Sequence, residues 1–349
     1  MRIAQLSPLE YRTPPKKYGS LERVASALTE ELVRRGHEVT LFASGDSVTA
    51  ARLEATIPLN TTDAGITKFS GPYNPLLLRS VGRAYTMADQ LDIIHHHTGG
   101  IGLPLAHLST TPAVVTVHTP ISEAFQPLYQ EFKKPYIVAI SRDQLQDHIK
   151  IGLHSAGAIH HGLPMEHYPF SKEYDNYLLY VGSIWHAKGT HIAIAVAKRL
   201  NLPLIIAAKL GADAPAQQYF KEIVEPQLGG NIQWIGEVTE EERNKLMSRT
   251  MAFLHPATWR EPFGLTVIEA MACGAPVVAF NKGSMPELIE DGKTGFLVED
   301  EDEMVEAIKK VETIDRTYTR AYALKNFSAK RMTDDYERLY KQILEKKSA

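Results

Sequence analysis

The chain has 349 residues, of which 44% are hydrophobic and 23% are charged, as in a soluble globular protein large enough for two domains. A formal net charge of −3 argues against nucleic acid as the main ligand. The one cysteine, Cys273, excludes an intrachain disulfide. The first apolar run is too short for a signal peptide, and no stretch approaches the roughly 18 apolar residues of a membrane span. We therefore expect a cytoplasmic protein, with peripheral association with a membrane left open.

Short apolar runs alternate with helical patterns from the N-terminus onward. Leu21, Val24, Leu28 and Leu32 recur at helical spacing before a helix stop at Gly36. Ser141 and Gln144 form a capping pair that predicts the start of another helix. The strands predicted in this half are 2–7, 38–44, 91–95, 113–118 and 136–141.

The segment 163–176 is polar, contains two prolines and shows no period, so we interpret it as an interdomain linker. The alternation then resumes, with Thr239 and Glu242 as a further capping pair. The strands predicted here are 177–181, 204–208, 232–235, 252–255, 277–280 and 296–298. This repetition predicts the α/β class, with two Rossmann-like doubly wound parallel-sheet domains facing across a cleft. We place them at 1–165 and 166–327, followed by an amphipathic helix at about 328–349.

The stretch 261–279, E-P-F-G-L-T-V-I-E-A-M-A-C-G-A-P-V-V-A, is the most informative part of the chain. It places Glu261 and Glu269 around the start of a short helix, after a loop made tight by Pro262 and Gly264. A helix N-terminus binds anions through its unpaired N–H groups, whereas carboxylates repel them. Both features make sense if a diphosphate meets the N–H groups while the carboxylates accept hydrogen bonds from hydroxyls. A nucleotide-sugar has this chemistry.

The same stretch resembles the E-x7-E region of the family 4 retaining glycosyltransferases, which have the GT-B architecture. The resemblance extends from S-P-L-E-Y near the N-terminus to F-S-A-K-R-M-T-D-D-Y-E-R-L-Y near the C-terminus. It implies transfer of a hexose from a nucleotide diphosphate-sugar, most often a UDP-sugar, to an acceptor that the sequence does not identify. The implied reaction retains the anomeric configuration and needs no metal or other cofactor. The second domain would bind the donor, the first the acceptor, and the last helix would pack on the first domain.

The resemblance also implies roles for individual residues. Glu269 would accept hydrogen bonds from the ribose hydroxyls, and Glu261 would accept them from the hydroxyls of the transferred sugar. The backbone N–H groups of Gly264, Leu265 and Thr266 would meet the distal phosphate. The alternative for both carboxylates is an ordinary solvated acid.

Lys188, in G-S-I-W-H-A-K-G, is placed to neutralise a leaving diphosphate, the alternative being a surface lysine. Relatives usually carry Arg where this chain has Ser183, so we expect Lys209 or Arg83 to compensate.

A second departure is Y-G-S-L-E-R, where relatives often have Gly-Gly. Gly19 would admit a phosphate to the backbone and Ser20 would add a hydroxyl donor, or Ser20 would simply cap the helix.

His118 ends a strand at the edge where ligands bind in such sheets, and by resemblance would lie near the transferred sugar. A structural histidine is the alternative. The run His95–His97 lacks a completing ligand, strand alternation separates His96 from its neighbours, and we expect no metal site there. The acids at 299–303 are explained by a helix start, and Asp46 lacks the glycine loop of a dinucleotide site. A non-catalytic nucleotide-sugar-binding subunit, an epimerase and a phosphorylase remain alternatives, and the oligomeric state is open.

Overall fold

The computed structural model describes residues 1–17, 19–67 and 71–348. These residues divide into two compact units. Unit 1 comprises Met1–Pro164 with Ser328–Ala349, and unit 2 comprises Met165–Phe327.

Unit 1 begins with an alternation of strands and helices. Its elements up to residue 158 are β1 (Arg2–Leu6), α1 (Ser20–Arg34), β2 (Glu38–Ser44), β3 (Arg52–Ile57), α2 (Tyr73–Tyr85), β4 (Ile93–His96), α3 (Leu103–Leu108), β5 (Ala113–Val117), α4 (Gln126–Glu131), β6 (Tyr136–Ala139), α5 (Arg142–Lys150) and β7 (Ser155–Ala158). In the described part of unit 1 these strands form a seven-stranded sheet in the order β3-β2-β1-β4-β5-β6-β7, with parallel pairs throughout.

Unit 2 repeats the pattern. Its elements are β8 (Leu178–Ile184), α6 (Thr190–Leu200), β9 (Leu204–Leu210), α7 (Ala214–Tyr219), β10 (Ile232–Trp234), α8 (Glu240–Arg249), β11 (Ala252–His255), α9 (Leu265–Ala272), β12 (Val277–Phe280), α10 (Met285–Leu288), β13 (Gly295–Val298), α11 (Glu301–Ile308) and α12 (Arg316–Phe327). The sheet order is β10-β9-β8-β11-β12-β13, again with parallel pairs. The chain therefore reverses its direction of travel across the sheet between β8 and β11, which is where ligands bind in doubly wound sheets.

The strands are near-continuous runs of apolar residues because both faces of each sheet are covered. Leu178, Leu204, Ile206, Leu254 and Val278 are completely or almost completely buried in the core of unit 2. This burial on both sides explains why the strands lack the strict alternation of a half-exposed sheet.

The last helix, α13 (Ala329–Ser348), belongs to unit 1. Its Tyr336 and Tyr340 are fully buried, and its start is fixed by the Ala329 N–H, which donates to the Leu163 carbonyl at 2.8 Å. Arg35, the C-cap of α1, pairs with Glu337 of α13 at 2.9 Å. The hydrophobic face predicted for this helix is thus buried against the elements at the start of the chain.

The sequence missed two strands and misjudged one segment. β3 and β7 were not predicted, since β7 is S-A-G-A and carries almost no apolar signal. The supposed linker 163–176 packs into unit 2 after Pro164: Met165 is fully buried, and Arg320 Nη1 donates to the Tyr168 carbonyl at 3.0 Å. Tertiary contacts give this aperiodic segment a fixed structure that composition alone does not predict.

The junction between β7 and α13 predicts a sharp response to one added methyl group. A Cβ at Gly162 would lie 2.2 Å from the Ser328 carbonyl oxygen, a backbone atom that cannot rotate away. Gly162→Ala should therefore lower the free energy of unfolding by about 1–3 kcal/mol, measured by urea denaturation.

Gly82→Ala is the matched control, because a Cβ there meets no described atom within 4 Å and the position is helical. This variant should gain up to about 1 kcal/mol. Equal stability of the two variants would contradict the packing at Gly162.

Candidate functional site

Two loops of unit 2 meet at the carboxyl ends of β8 and β11, where the strand order reverses. Lys188 follows β8 and Glu261 follows β11, and Lys188 Nζ donates to Glu261 Oε1 at 2.6 Å. Both side chains are largely buried, with exposures of 20% and 15%. The structure thus joins two residues that the sequence placed 73 positions apart.

His255, the last residue of β11, completes this cluster. Its Nε2 lies 3.1 Å from Glu261 Oε2. Burial alone would raise the pKa of the Glu261 carboxyl, but the Lys188 ammonium and His255 outweigh it and lower the pKa to about 2. Sequence reasoning missed His255, although a polar residue at the carboxyl end of a buried strand was the available signal.

Backbone packing fixes the position of the Glu261 loop. A Cβ at Gly283 would lie 2.5 Å from the Glu261 carbonyl oxygen, and Gly283 has φ +59°, so only glycine fits without strain. The Ser284 N–H donates to the same carbonyl at 3.0 Å. Glu261 is therefore held by its main chain as well as by its carboxylate.

The other loop is fixed in the same way. The buried Tyr180 hydroxyl donates to the Ser183 carbonyl at 3.2 Å and lies 3.4 Å from the Lys188 carbonyl. A Cβ at Gly189 would meet the Pro256 carbonyl oxygen at 2.0 Å, so the two loops pack backbone to backbone. Neither contact is predicted by a local sequence pattern.

Helix α9 begins immediately after Gly264, which is its N-cap and provides no side-chain cap. The N–H groups of Leu265 and Thr266 lie in its first turn, where intrahelical acceptors do not exist. A Cβ at Gly264 would lie 2.9 Å from Met285 Cε, so packing against α10 also requires a small residue here. The N-cap of α9 thus follows Glu261 by three positions, and Lys188 pairs with the carboxylate of that residue.

Glu269 lies inside α9 and is fully buried, which differs from the exposed acid of the alternative interpretation. Arg243 of α8 donates to Glu269 Oε1 at 2.6 Å. Oε1 of this carboxylate is therefore already engaged by the protein. Sequence reasoning missed Arg243, because the register between α8 and α9 is a tertiary property.

Ser183 and Lys209 are direct partners in the parallel register of β8 and β9, so their side chains share one face of the sheet. Lys209 therefore stands beside Ser183, the position at which the sequence resemblance implies Arg. The other candidate for compensation, Arg83, instead donates to Glu54 at 2.8 Å in unit 1.

In unit 1, Gly19 is the N-cap of α1 with φ +141°, and a Cβ there would lie 2.8 Å from Pro15. Ser20 is the first helical residue and provides no cap, so the prediction that it caps α1 was wrong. The buried carboxylate of Glu22 lies close to Gly19, and a phosphate at this point would meet a like charge.

His118 belongs to a chain of hydrogen-bonded polar side chains at the carboxyl edge of the unit 1 sheet. His97 Nε2 lies 2.9 Å from Gln5 Oε1, His97 Nδ1 lies 2.9 Å from His118 Nε2, and His118 Nδ1 lies 3.2 Å from His161 Nε2. Since the Gln5 oxygen can only accept, the proton of each imidazole sits on Nε2. Both ring nitrogens of His118 are thus engaged by protein, which favours a structural histidine.

His95 lies on the same face as His97, with ring centroids 4.4 Å apart, whereas the His96 ring nitrogen lies 2.7 Å from the Tyr85 hydroxyl. This confirms the alternation expected for the three histidines. His95 in turn contacts Tyr340 of α13 at 2.6 Å and Thr116 at 2.7 Å.

Among the described residues, no group of three His, Cys, Asp or Glu side chains is arranged to hold a metal ion. Asp300 instead caps α11, accepting from the Glu303 N–H at 2.9 Å, as expected for acids at a helix start. Asp46 accepts from the Asn60 side chain at 2.7 Å. Within the described residues, no helix combines the length and apolar character needed to cross a bilayer.

Comparisons with known proteins address the whole chain. The family model described as "Glycosyltransferase Family 4" matches residues 21–166, and that described as "Glycosyl transferases group 1" matches residues 168–325. Together the two matches span most of the chain, and they support a glycosyltransferase of the family 4 type. O-antigen chain mannosyltransferase C of Escherichia coli is 26% identical over an alignment covering 100% of both chains.

Solved structures confirm the predicted fold class, two Rossmann-like parallel-sheet domains of the GT-B type. AviGT4, a glycosyltransferase involved in avilamycin A biosynthesis, matches 99% of this chain and 98% of its own, with 23% identity and a TM-score of 0.74. Anabaena HepE in complex with UDP-glucose matches 98% of this chain and 100% of its own, with 19% identity and a TM-score of 0.74.

The Lys188–Glu261 contact predicts how the carboxyl titrates. In the folded protein Glu261 contributes stability above its ordinary pKa of 4.5, and this contribution is lost as the pH falls toward about 2. Lys188→Met removes the cation while burial and His255 remain, so the pKa of Glu261 should rise from about 2. Side-chain carboxyl NMR across a pH titration measures the shift. Exposed Lys245→Met is the control, and an unmoved Glu261 resonance in the Lys188 variant would contradict the pairing.

The buried histidines of unit 1 predict acid sensitivity. Burial lowers the pKa of His96 and His118 to about 3, and it lowers the pKa values of His95, His97 and His161 far below 6.5. The unfolded chain therefore binds more protons than the folded one below pH 6.5, and the free energy of unfolding falls as the pH decreases.

Urea denaturation at several pH values between 7.5 and 5 tests this expectation. Unfolding should take up roughly one proton per buried histidine. His96→Gln should reduce the number of protons taken up on unfolding by about one. Exposed His154→Gln should leave it unchanged. If the wild-type protein were equally stable across this pH range, the inference that these histidines are neutral in the folded protein would be contradicted.

Proposed function

We propose that this protein is a retaining glycosyltransferase that moves a hexose from a nucleotide diphosphate-sugar to a hydroxyl acceptor without a metal. The observation that carries the proposal is the Lys188–Glu261 pair, 2.6 Å long, beside the N-terminus of α9 at the point of strand reversal. A UDP-sugar is the favoured donor, and the UDP-glucose complex of the Anabaena neighbour supports this choice.

Unit 2 would bind the donor. The distal phosphate would accept hydrogen bonds from the N–H groups of Gly264, Leu265 and Thr266, and Lys188 would turn from Glu261 toward the diphosphate. Glu261, freed on one side, would accept from hydroxyls of the sugar. Lys209 would supply the second cation that relatives obtain from Arg at position 183, because it shares the face of Ser183 in the sheet.

Glu269 would accept from the ribose hydroxyls once Arg243 has moved. The Arg243 guanidinium already pairs with this fully buried carboxylate, so the carboxylate would not have to be desolvated during binding. This arrangement would exchange one charge-assisted hydrogen bond for another.

The reaction would break the bond between the anomeric carbon and the diphosphate oxygen through an oxocarbenium-like transition state. Lys188 and the first turn of α9 would stabilise the negative charge that develops on the departing diphosphate. The acceptor oxygen would attack from the same face, forming the glycosidic bond, and its proton would pass to the leaving phosphate. Glu261 would not act as a nucleophile, because it would accept hydrogen bonds from the sugar hydroxyls while staying beside His255.

Unit 1 would bind the acceptor. His118 would hydrogen-bond the transferred sugar only after releasing His161, the more distant of its two partners at 3.2 Å. A contribution from Gly19 and Ser20 to phosphate binding stays a prediction.

Isothermal titration of the protein with UDP, GDP and ADP, with and without Mg²⁺, tests the donor site. We expect one diphosphate to bind independently of Mg²⁺ and the corresponding glucose or mannose donor to bind as well. Glu269→Gln keeps a partner for Arg243 but removes the carboxylate charge, and it should weaken binding roughly tenfold or more, the equivalent of about 1.5–3 kcal/mol.

Glu306→Gln, an exposed acid of α11, is the control and should bind as the wild type does. Proton NMR of the product would then report the anomeric configuration. Absence of binding to all three diphosphates would reject the donor site, and an inverted linkage would reject the mechanism.

A further inference from the structure

Two indole rings lie beside the Lys188–Glu261 pair and have no part in the chemistry described above. Trp185 follows β8 and is 45% exposed, which is unusual for so large an apolar side chain. Trp259 precedes Glu261 by two positions, and the two rings form a T-shaped pair with centroids 6.0 Å apart. Lys188 Nζ lies 5.0 Å from the centre of the Trp259 ring, so the cation of the pair also contacts the aromatic surface.

The indole N–H of Trp259 is buried and has no hydrogen-bond partner among the described residues. A buried indole N–H normally has an acceptor. Trp234, in the same unit, follows this rule, because its Nε1 donates to the Ala208 carbonyl at 2.9 Å. The unpaired donor of Trp259 is therefore a specific feature of this site.

The backbone beneath the two rings is rigid. The Thr258 N–H donates to the Ala187 carbonyl at 2.9 Å, and Gly189 packs directly on the Pro256 carbonyl. The Lys188 N–H donates to the Trp185 carbonyl at 2.9 Å, which closes the turn that carries the exposed ring. Both indoles are thus held in place by the same loop contacts that position Lys188 and Glu261.

We propose that Trp185 and Trp259 form a stacking platform for the pyranose ring of a sugar. A pyranose has an apolar face of C–H groups, which packs on the electron-rich face of an aromatic ring, and a rim of hydroxyls. The exposed Trp185 ring supplies the apolar surface, and the Trp259 N–H and the Glu261 carboxylate supply a donor and an acceptor for the rim. This combination of aromatic surface with few fixed polar groups is that of a small-molecule site.

The platform rests on the proposed function, and it deepens that proposal by naming the residues that recognise the sugar. A nucleobase would also stack on an indole, but a base beside Glu261 would place the nucleotide where the sugar hydroxyls are expected. The sugar on the platform is either that of the donor or that of the acceptor, and the experiment has an arm for each.

The test uses the full chain as wild type, Trp185→Ala and Trp185→Phe. The donor arm measures Kd for UDP and for UDP-glucose by isothermal titration, or for GDP and GDP-mannose if the protein prefers guanosine. The acceptor arm titrates the diphosphate-loaded protein with methyl α-D-mannopyranoside and methyl α-D-glucopyranoside. Binding in this arm is followed by tryptophan emission. All variants carry Trp234→Phe, so that only Trp185 and Trp259 contribute to the signal.

We expect Trp185→Ala to weaken the binding of either the donor sugar or the acceptor sugar by roughly tenfold, while the Kd of the free diphosphate stays the same. Trp185→Phe should recover most of the affinity, because it restores a flat aromatic face. Loss in the donor arm assigns the platform to the donor sugar, and loss in the acceptor arm assigns it to the acceptor.

Unchanged sugar affinity in both arms would overturn the platform. Equal weakening of UDP and UDP-glucose would also overturn it, because the ring would then serve the nucleotide or the local fold. If the wild type binds no diphosphate, the proposed function fails, and the glycosides are titrated into the unloaded protein instead. Emission changes that Trp185→Ala abolishes would then still support the platform, and emission that no glycoside alters would overturn it.

Discussion

All strand pairs in the described parts of the two sheets are parallel, and this constraint determines where chemistry can be placed. Each strand has to deliver its carboxyl end to the same edge, so the loops that follow β8 and β11 become neighbours although 73 positions separate Lys188 from Glu261. Burial on both faces makes the strands themselves apolar. Charged and hydrogen-bonding side chains are therefore concentrated at that edge, in loops whose backbone is fixed by glycine contacts and carbonyl hydrogen bonds.

The charges at this edge are balanced before any ligand arrives. Lys188 and His255 contact Glu261 and lower its pKa despite burial, and Arg243 pairs with Glu269. Removing one member of such a pair leaves an uncompensated buried charge, which is costly. Under the proposed function a diphosphate would take the place of Glu261 beside Lys188, so donor binding would exchange one anionic partner of the lysine for another.

The sequence predicted the parts of this arrangement that depend on local order. Strand ends, the Thr239 capping box and the loop before α9 are encoded by neighbouring residues, and the capping box forms with the Thr239 N–H donating to Glu242 at 2.8 Å. Arg243 and His255 were missed because their importance comes from which helix or strand lies next to them. β3 and β7 were missed because strands at the edges of a sheet need little apolar surface. The engagement of both His118 nitrogens was equally invisible, since its partners come from strands β4 and β7 and the loops after them.

Helix α13 has a consequence for how the protein reaches its native state during synthesis. Tyr340 contacts His95 across 245 positions, and Tyr336 contacts Thr116 across 220. The ribosome therefore delivers the strands of unit 1 long before the hydroxyls that pair with their buried polar groups, and all of unit 2 emerges in between. Until then the polar face of the unit 1 sheet needs water or a chaperone in place of α13, so the unit made first is the one completed last.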